Sequence, residues 1–321
     1  MQAIVWHGGA ELRVENVGDP EPAGGRVVLE VALAGVCGSD LHAVRGHPGP
    51  RRPPLILGHE LVGTVAGRAG RFVPFPLATC GRCRACLRAE ENLCDNRGLL
   101  GLDRPGAFAE RVLVDEKSLV EVPRGLDDRL AVLVEPLATP LSALRVEAVP
   151  TGATVVVLGC GPIGLLAVHA ARSRGVDVVA VEPLPGRRRL AEAFGARRVH
   201  ESLSDVDGLD ADVAIDAVGA EATVAGAIAA VRRGGSVAVL GLGQEEARVP
   251  VADMVRRGVR VRGHYAYTRD DFEAAARLLA DDPVDLGWLT IAALDDGPAA
   301  IHELIKHPDH TAKVLLRIDS R

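Results

Sequence analysis

Between Arg26 and about Val122 the apolar positions come in short β-branched runs, Val27 to Val31, Val62 to Val65 and Val112 to Val114, cut apart by Gly and Pro clusters. Short runs bounded by turn formers are what half-buried strands require, so this stretch predicts a compact, irregular all-β unit. From about Leu137 the texture changes. Apolar runs at Thr154 to Leu158, Val176 to Val181, Asp212 to Asp216 and Ser236 to Leu240 alternate with alanine-rich helical stretches, the signature of parallel βαβ units. Beyond Asp270 the pattern gives an amphipathic helix over Phe272 to Leu279, a second near Ala299 to Lys306, and a closing strand over Ala312 to Ile318. No internal repeat or low-complexity tract interrupts this order.

One segment, Thr151 to Ala171, carries no Asp, Glu, Lys or Arg and has the hydropathy of a membrane span. Gly159, Gly161 and Gly164 divide it into a β-branched run, a tight turn and a helical run, which is the punctuation of a water-soluble α/β unit. Near the start, Glu11, Arg13, Glu15 and Asp19 leave no apolar core for a signal peptide. At 321 residues the chain is long enough for two domains. Its 37 basic side chains against 43 acidic ones give a net charge of −6, so no basic field attracts nucleic acid or an anionic membrane.

Four of the six cysteines, Cys80, Cys83, Cys86 and Cys94, follow the spacing Cys-x2-Cys-x2-Cys-x7-Cys. Four thiolates from one short lobe can close a tetrahedral shell around zinc and leave no open position, which predicts a structural ion that holds a loop and does no chemistry. Cysteines arranged as metal ligands also suit a reducing compartment, so the expected location is the cytoplasm.

The run Thr154-Val-Val-Val-Leu-Gly-Cys-Gly-Pro-Ile-Gly164 puts Gly-x-Gly-x-x-Gly directly after a strand and before a helix. There the backbone N–H groups of Gly159, Gly161, Ile163 and Gly164, at the N-terminus of a helix opened by Pro162, can cradle a pyrophosphate. The next strand ends in Glu182, about 20 residues further on, where a carboxylate accepts from the adenosine ribose hydroxyls and favours NAD over NADP. Arg187, with Arg188 and Arg189, is the counter-indication, because a guanidinium can receive a 2′-phosphate; a solvated helix face explains the three equally well. Cys160 reads as a small packing residue.

Two clusters remain, Cys37-Gly-Ser-Asp-Leu-His42 and Gly58-His-Glu-Leu-Val-Gly63, with Glu135-Pro136 ahead of the nucleotide motif. Taken in this order with the cysteine lobe and the glycine fingerprint, they resemble the zinc-containing medium-chain dehydrogenases over nearly the whole chain. The resemblance implies an α/β protein: a GroES-like irregular β catalytic domain over 1–137 with the lobe at about 76–97, a Rossmann doubly wound parallel-sheet domain over 138–268, and a return to the first domain over 269–321. It implies a second, catalytic zinc on Cys37 and His59. With Cys160 in the phosphate turn, no cysteine is left for a further ligand, so Glu60 and Glu135 fill that role as in the sorbitol, threonine and glucose dehydrogenase branch. Asp40 resembles the carboxylate that orients the histidine ligand, although a turn cap is an alternative.

The implied reaction is reversible oxidation of an alcohol, most simply a polyol, sugar or secondary alcohol, with zinc as Lewis acid and the hydride passing to the nicotinamide. Ser39 and His42, with the cofactor ribose, relay the proton out, in a cleft between the two domains. Val218, Leu240 and Leu242, at strand-end turns, face the nicotinamide half. Tyr265 and Tyr267 reach the substrate or pack in the interior. Family members pair through a sheet edge, expected here near Ser236 to Leu240, giving a homodimer or homotetramer. The stretch from Val65 to Phe72 is shorter than the family pattern, which points to a trimmed hairpin. A zinc-independent quinone or enoyl reductase and a zinc-ribbon binding module are the rival readings.

Overall fold

The computed structural model describes residues 1–309 and 312–318, which form two compact units. The first comprises Met1–Glu135 together with the chain from Thr268 onward. Its main sheet runs in the order Leu119–Glu121, Phe72–Pro74, Glu60–Val65, Arg26–Gly35, Lys313–Arg317, Leu289–Ala293, with Arg111–Asp115 also paired to Arg26–Gly35. The expected run Val27 to Val31 extends to Gly35 because Leu33 and Ala34 keep supplying buried positions. A smaller sheet sets Gln2–Gly8 between Glu11–Asn16 and Leu55–Ile56. Trp6, Leu29, Leu57, Phe108, Ile301 and Leu316 fill the interior, so the C-terminal helix Gly297–Lys306 and the strand Lys313–Arg317 belong to this core.

The all-β expectation needs amending at two places: Gly38–Val44 is a helix that carries Ser39, Asp40 and His42, and a four-residue helix, Arg84–Leu87, lies in the cysteine lobe. The turn between Glu60–Val65 and Phe72–Pro74 is short, with Gly63 paired to Phe72. The predicted helix near Phe272 runs over Arg269–Asp281, started by a reciprocal cap in which Thr268 Oγ1 accepts from the Asp271 N–H and the Asp271 carboxylate accepts from the Thr268 N–H. Phe272 then meets Phe75 edge-on, with ring centroids 5.6 Å apart.

The second unit, Pro136–Tyr267, holds a six-stranded all-parallel sheet in the order Arg198–His200, Asp177–Val181, Thr154–Leu158, Ala211–Asp216, Val231–Val239, Arg260–Gly263. The central strands are buried on both faces, which is why they read as continuous Val/Ala/Ile runs without alternation. Chain direction across the sheet reverses beside Thr154–Leu158, the switch point at which such sheets bind ligands beyond their strand carboxyl ends. The expected pairing edge is corrected here. Ser236 to Val239 is paired on both sides, and the outer strand is Arg260–Gly263, exposed along its length. Its Arg-Val-Arg sequence is too polar to register as a strand by hydrophobic run alone. Among the described residues no helix is long and apolar enough to cross a membrane.

Candidate metal centres and dinucleotide site

The cysteine lobe is built from turns. Cys83 caps the four-residue helix Arg84–Leu87, Cys86 lies inside it, and Cys94 ends the one-turn helix Glu91–Leu93. The four Sγ atoms of Cys80, Cys83, Cys86 and Cys94 lie within 4.8 Å of one another, and none is in a disulfide. Cys83 to Cys86 is 3.5 Å and Cys94 to Cys80 is 3.6 Å, close to the ~3.8 Å edge of a zinc–thiolate tetrahedron with ~2.3 Å bonds. The N–H groups of Arg82 and Cys83 draw the Cys80 thiol down to about 6, whereas desolvation and its sulfur neighbours push Cys86 up to about 12. Four thiolates cannot share this space without a cation, and the donor set fits zinc.

The second set of expected ligands, Cys37, His59, Glu60 and Glu135, lies wholly within the first unit. Gly58 has φ +97°, and a Cβ there would lie 2.5 Å from the Phe108 ring. That bare turn seats His59, which is buried, at the head of the Glu60–Val65 strand. Cys37 caps the Gly38–Val44 helix, and its N–H donates to Asp40 Oδ2 at 3.0 Å. Burial works against a charged His59, but Cys37, Asp40 and Glu135 outweigh it and raise the ring to about 10. His59 Nδ1 and Glu60 Oε1 are buried and have no hydrogen-bond partner. An imidazole nitrogen acted on by a thiol and carboxylates has the donor chemistry of a divalent zinc site, but among the described residues only the lobe cysteines bring three or more such donor atoms within 4.8 Å of one another.

Glu60 itself does not close on the other ligands. Its carboxylate forms an ion pair with Lys313, both groups being almost fully buried. Asp40 also departs from expectation: its partners are the Cys37 N–H and Arg51, at 3.4 Å, with no hydrogen bond to His59. As the third residue of a short helix it is placed to cap that helix, so it fixes the ligand-bearing turn and acts on the histidine through charge. Buried Arg51 further donates to Ser39 Oγ at 3.1 Å and to the Gly101 carbonyl at 2.9 Å. His42 is half-buried, and desolvation, then Arg45, His47 and Arg51, hold its pKa below 6.5.

In the second unit the nucleotide residues gather at the strand carboxyl ends. Gly159 and Gly161 bracket the turn and Pro162 starts the helix Pro162–Arg172 through Ile163 and Gly164. A Cβ on Gly164 would lie 1.8 Å from the Gly159 carbonyl oxygen, so only glycine lets helix and turn approach this closely. Glu182 is buried and accepts from the Cys160 N–H at 2.7 Å and the Leu184 N–H at 3.0 Å, latching the turn to the neighbouring strand end. Cys160 is buried, as a packing residue should be. The Arg187 guanidinium lies beside the turn, 3.8 Å from where a Gly161 Cβ would be, whereas Arg188 is tied to the Glu182 and Pro183 carbonyls and to Glu201. Asp216 accepts from the Val218 and Gly219 N–H groups, presenting half-exposed Val218 at the same sheet edge as Leu240 and exposed Leu242. Tyr267 is buried and Tyr265 partly exposed.

A model described as an alcohol dehydrogenase GroES-like domain matches residues 23–124, and one described as a zinc-binding dehydrogenase matches 162–281. A sorbitol dehydrogenase of Halalkalibacterium halodurans is 32% identical over 309 residues, covering 89% of this chain and 90% of its own. The chain belongs to the zinc-containing medium-chain alcohol dehydrogenase family. An (R,R)-butanediol dehydrogenase of Bacillus subtilis is 32% identical over 88% of both chains. The crystal structure of 2R,3R-butanediol dehydrogenase from Bacillus subtilis overlays with a TM-score of 0.90 at 29% identity, covering 99% of each chain. A zinc-binding dehydrogenase from Sinorhizobium meliloti, solved with NADP, overlays with 0.88 at 32% identity over 98% of each. The GroES-like and Rossmann reading of the fold and the oxidoreductase class hold, and the zinc-ribbon module does not.

Lys313 and Arg51 escaped the sequence reading. Lys313 left a trace, since it is the one cation at an inward position of the strand Lys313–Arg317. Arg51 sits in a polar, proline-rich stretch and left none.

Proposed function

We propose that this family member is a zinc-dependent, NAD-preferring dehydrogenase that oxidises a polyol, sugar or secondary alcohol to the carbonyl compound. The observation that carries the reading is the grouping of buried His59 and Glu60 with half-buried Cys37 and Glu135, beside the helix that holds Ser39 and His42. Cys37 and His59 would hold the zinc, with Glu60 and Glu135 as alternative carboxylate donors. The bound zinc supplies Lewis acidity to the substrate oxygen, and the nicotinamide supplies the hydride acceptor.

The chain's own part is the proton. Arg51 donates to Ser39 Oγ, which leaves the serine hydrogen free to point away and a lone pair free to accept from the substrate hydroxyl. His42, held below its ordinary pKa, is neutral near pH 7 and can take the proton onward to solvent. Glu182 supports NAD, because each of its oxygens has acceptor capacity beyond its one backbone bond and would repel a 2′-phosphate. Arg187 lies near enough to the turn to serve the pyrophosphate. The exposed outer strand Arg260–Gly263 is the edge by which two copies would pair, and six unbonded thiols suit the cytoplasm.

Two measurements test the reading. Elemental analysis should give two zinc per chain, one lost in a Cys37→Ser variant; a single zinc unaffected by that change favours a zinc-independent reductase. Ser39→Ala should abolish turnover, followed as NADH absorbance on a panel of polyols, sugars and secondary alcohols, while zinc content and NAD binding persist; full activity would overturn the relay.

A further inference from the structure

Glu60 and Lys313 meet because of a glycine. Gly35 is paired to Glu60 on one side and to Leu315 on the other, in three adjacent antiparallel strands. Directly opposed residues share a sheet face, and so does Lys313, two positions before Leu315. Glu60 and Lys313 therefore rise from the same face, about two strand spacings or ~9.6 Å apart, with Gly35 between them. A Cβ on Gly35 would lie 2.0 Å from Glu60 Oε2 and 2.9 Å from Val132 Cγ1, so the missing side chain is the notch in which the carboxylate meets the ammonium.

This arrangement is costly to build. Glu60 and Lys313 are 0% and 1% exposed, and a buried ion pair adds little stability over well-packed apolar residues. Stability alone therefore gives no reason to keep it. Its position does: the Val36 N–H donates to the Val314 carbonyl at 3.0 Å and Leu315 pairs with Gly35, so Lys313 stands across the antiparallel ladder from Cys37.

We propose that Lys313 is a positioning residue that competes with the metal for Glu60, so that the notch over Gly35 is the place where this carboxylate rests when it is not a ligand. The inference builds on the reading that Cys37 and His59 hold a zinc. A carboxylate shared between two buried cations cannot be left without either. Taking away the ammonium hands it to the metal, and taking away the carboxylate leaves a metal whose resting ligands are unchanged. Lys313 thereby sets how often Glu60 enters the coordination shell and how fast metal exchanges.

The test loads the full chain with cobalt(II) in place of zinc and follows the d–d absorption and the rate of metal loss to dipicolinate. Lys313→Met should shift the cobalt bands and slow release of the Cys37–His59 metal by about tenfold or more, while the Lys313→Met/Glu60→Gln double variant returns to the wild-type rate. An unchanged release rate and spectrum in Lys313→Met, or a double variant that behaves as Lys313→Met does, overturns the proposal. Glu60→Gln alone gives an independent reading that does not need Lys313→Met to fold: release within about twofold of wild type is expected, and a tenfold acceleration would make Glu60 a resting ligand and overturn it. A wild-type chain that takes up metal only in the cysteine lobe overturns the zinc reading itself, which the stoichiometry reports before any variant is compared.

Discussion

Replacing Glu182 by Gln separates two jobs that one carboxylate does. Structurally, Glu182 accepts from the Cys160 N–H at 2.7 Å and the Leu184 N–H at 3.0 Å, and it is 3% exposed. The amide oxygen of Gln can keep one of these bonds, downgraded from charge-assisted to neutral. Its NH2 group must then face the other N–H, leaving a buried donor unpaired. Losing one charge-assisted bond and weakening the other, less the cheaper burial of a neutral group, comes to about 2–3 kcal/mol. In a unit of this size that is a fall of roughly 6–15 °C in melting temperature, read by calorimetry on the transition of the nucleotide-binding unit. Functionally, Gln removes the charge that repels a 2′-phosphate, so the NAD-to-NADP affinity ratio should fall by about tenfold, a shift near 1.4 kcal/mol, in titration calorimetry. A melting change equivalent to less than about 0.5 kcal/mol would refute the latch. A large melting change with an unaltered affinity ratio would keep the latch and refute the ribose assignment.

Cys94→Ser should release one zinc per chain, measured with a colorimetric chelator, and destabilise the unit that carries the lobe, because Cys94 is the buried member of the four. Arg51→Met should cost about 3–5 kcal/mol in urea unfolding, since it strands the fully buried Asp40 with a backbone N–H as its remaining partner; turnover should fall with it through Ser39. The pKa of His42 is lowered by burial first and then by Arg45, so Arg45→Gln should move the acid limb of the kcat–pH profile upward toward 6.5, and a limb that stays or falls would remove His42 from the relay. Burial, and to a lesser degree Arg262, lower the pKa of His264 despite its 3.0 Å bond to Glu147, so folding favours the neutral ring. Its stabilisation is complete above pH 6.5 and is lost as pH falls through the folded-state pKa, and His264→Gln should flatten the melting temperature over that window.

The sequence displayed whatever depends on neighbours along the chain. The glycine turn, the parallel strands and the cysteine lobe are local patterns, because a phosphate cradle, a doubly buried strand and a four-thiolate loop each need their residues within a few positions of one another. What stayed hidden depends on register between distant strands. Lys313 meets Glu60 because both flank Gly35 in a three-strand ladder, and no spacing in the sequence encodes that. The outer strand Arg260–Gly263 is hidden for a related reason: an edge strand with an exposed Arg-Val-Arg face lacks the hydrophobic run that makes its neighbours visible. Asp40 was legible as a carboxylate near the ligands but not in its partners, since Arg51 arrives from outside the helix.

These hidden contacts share a physical logic. Asp40 and Glu60 are buried and Cys37 and Glu135 half-buried in the first unit, and bringing carboxylates together out of water is costly unless cations offset them. The fold offsets it with two buried cations from far along the chain, Arg51 on Asp40 and Lys313 on Glu60. Neither side chain carries a ligand atom, yet each determines which carboxylates remain available. On the proposed assignment Cys37 and His59 are the resting donors, and Glu60 is held in reserve by Lys313. The same charge surplus that raises His59 to about 10 is therefore divided by position, and the two cations make the division. A ligand motif read from sequence names candidate donors; on the proposed role of Lys313, the buried cations opposite them decide which would be engaged at rest.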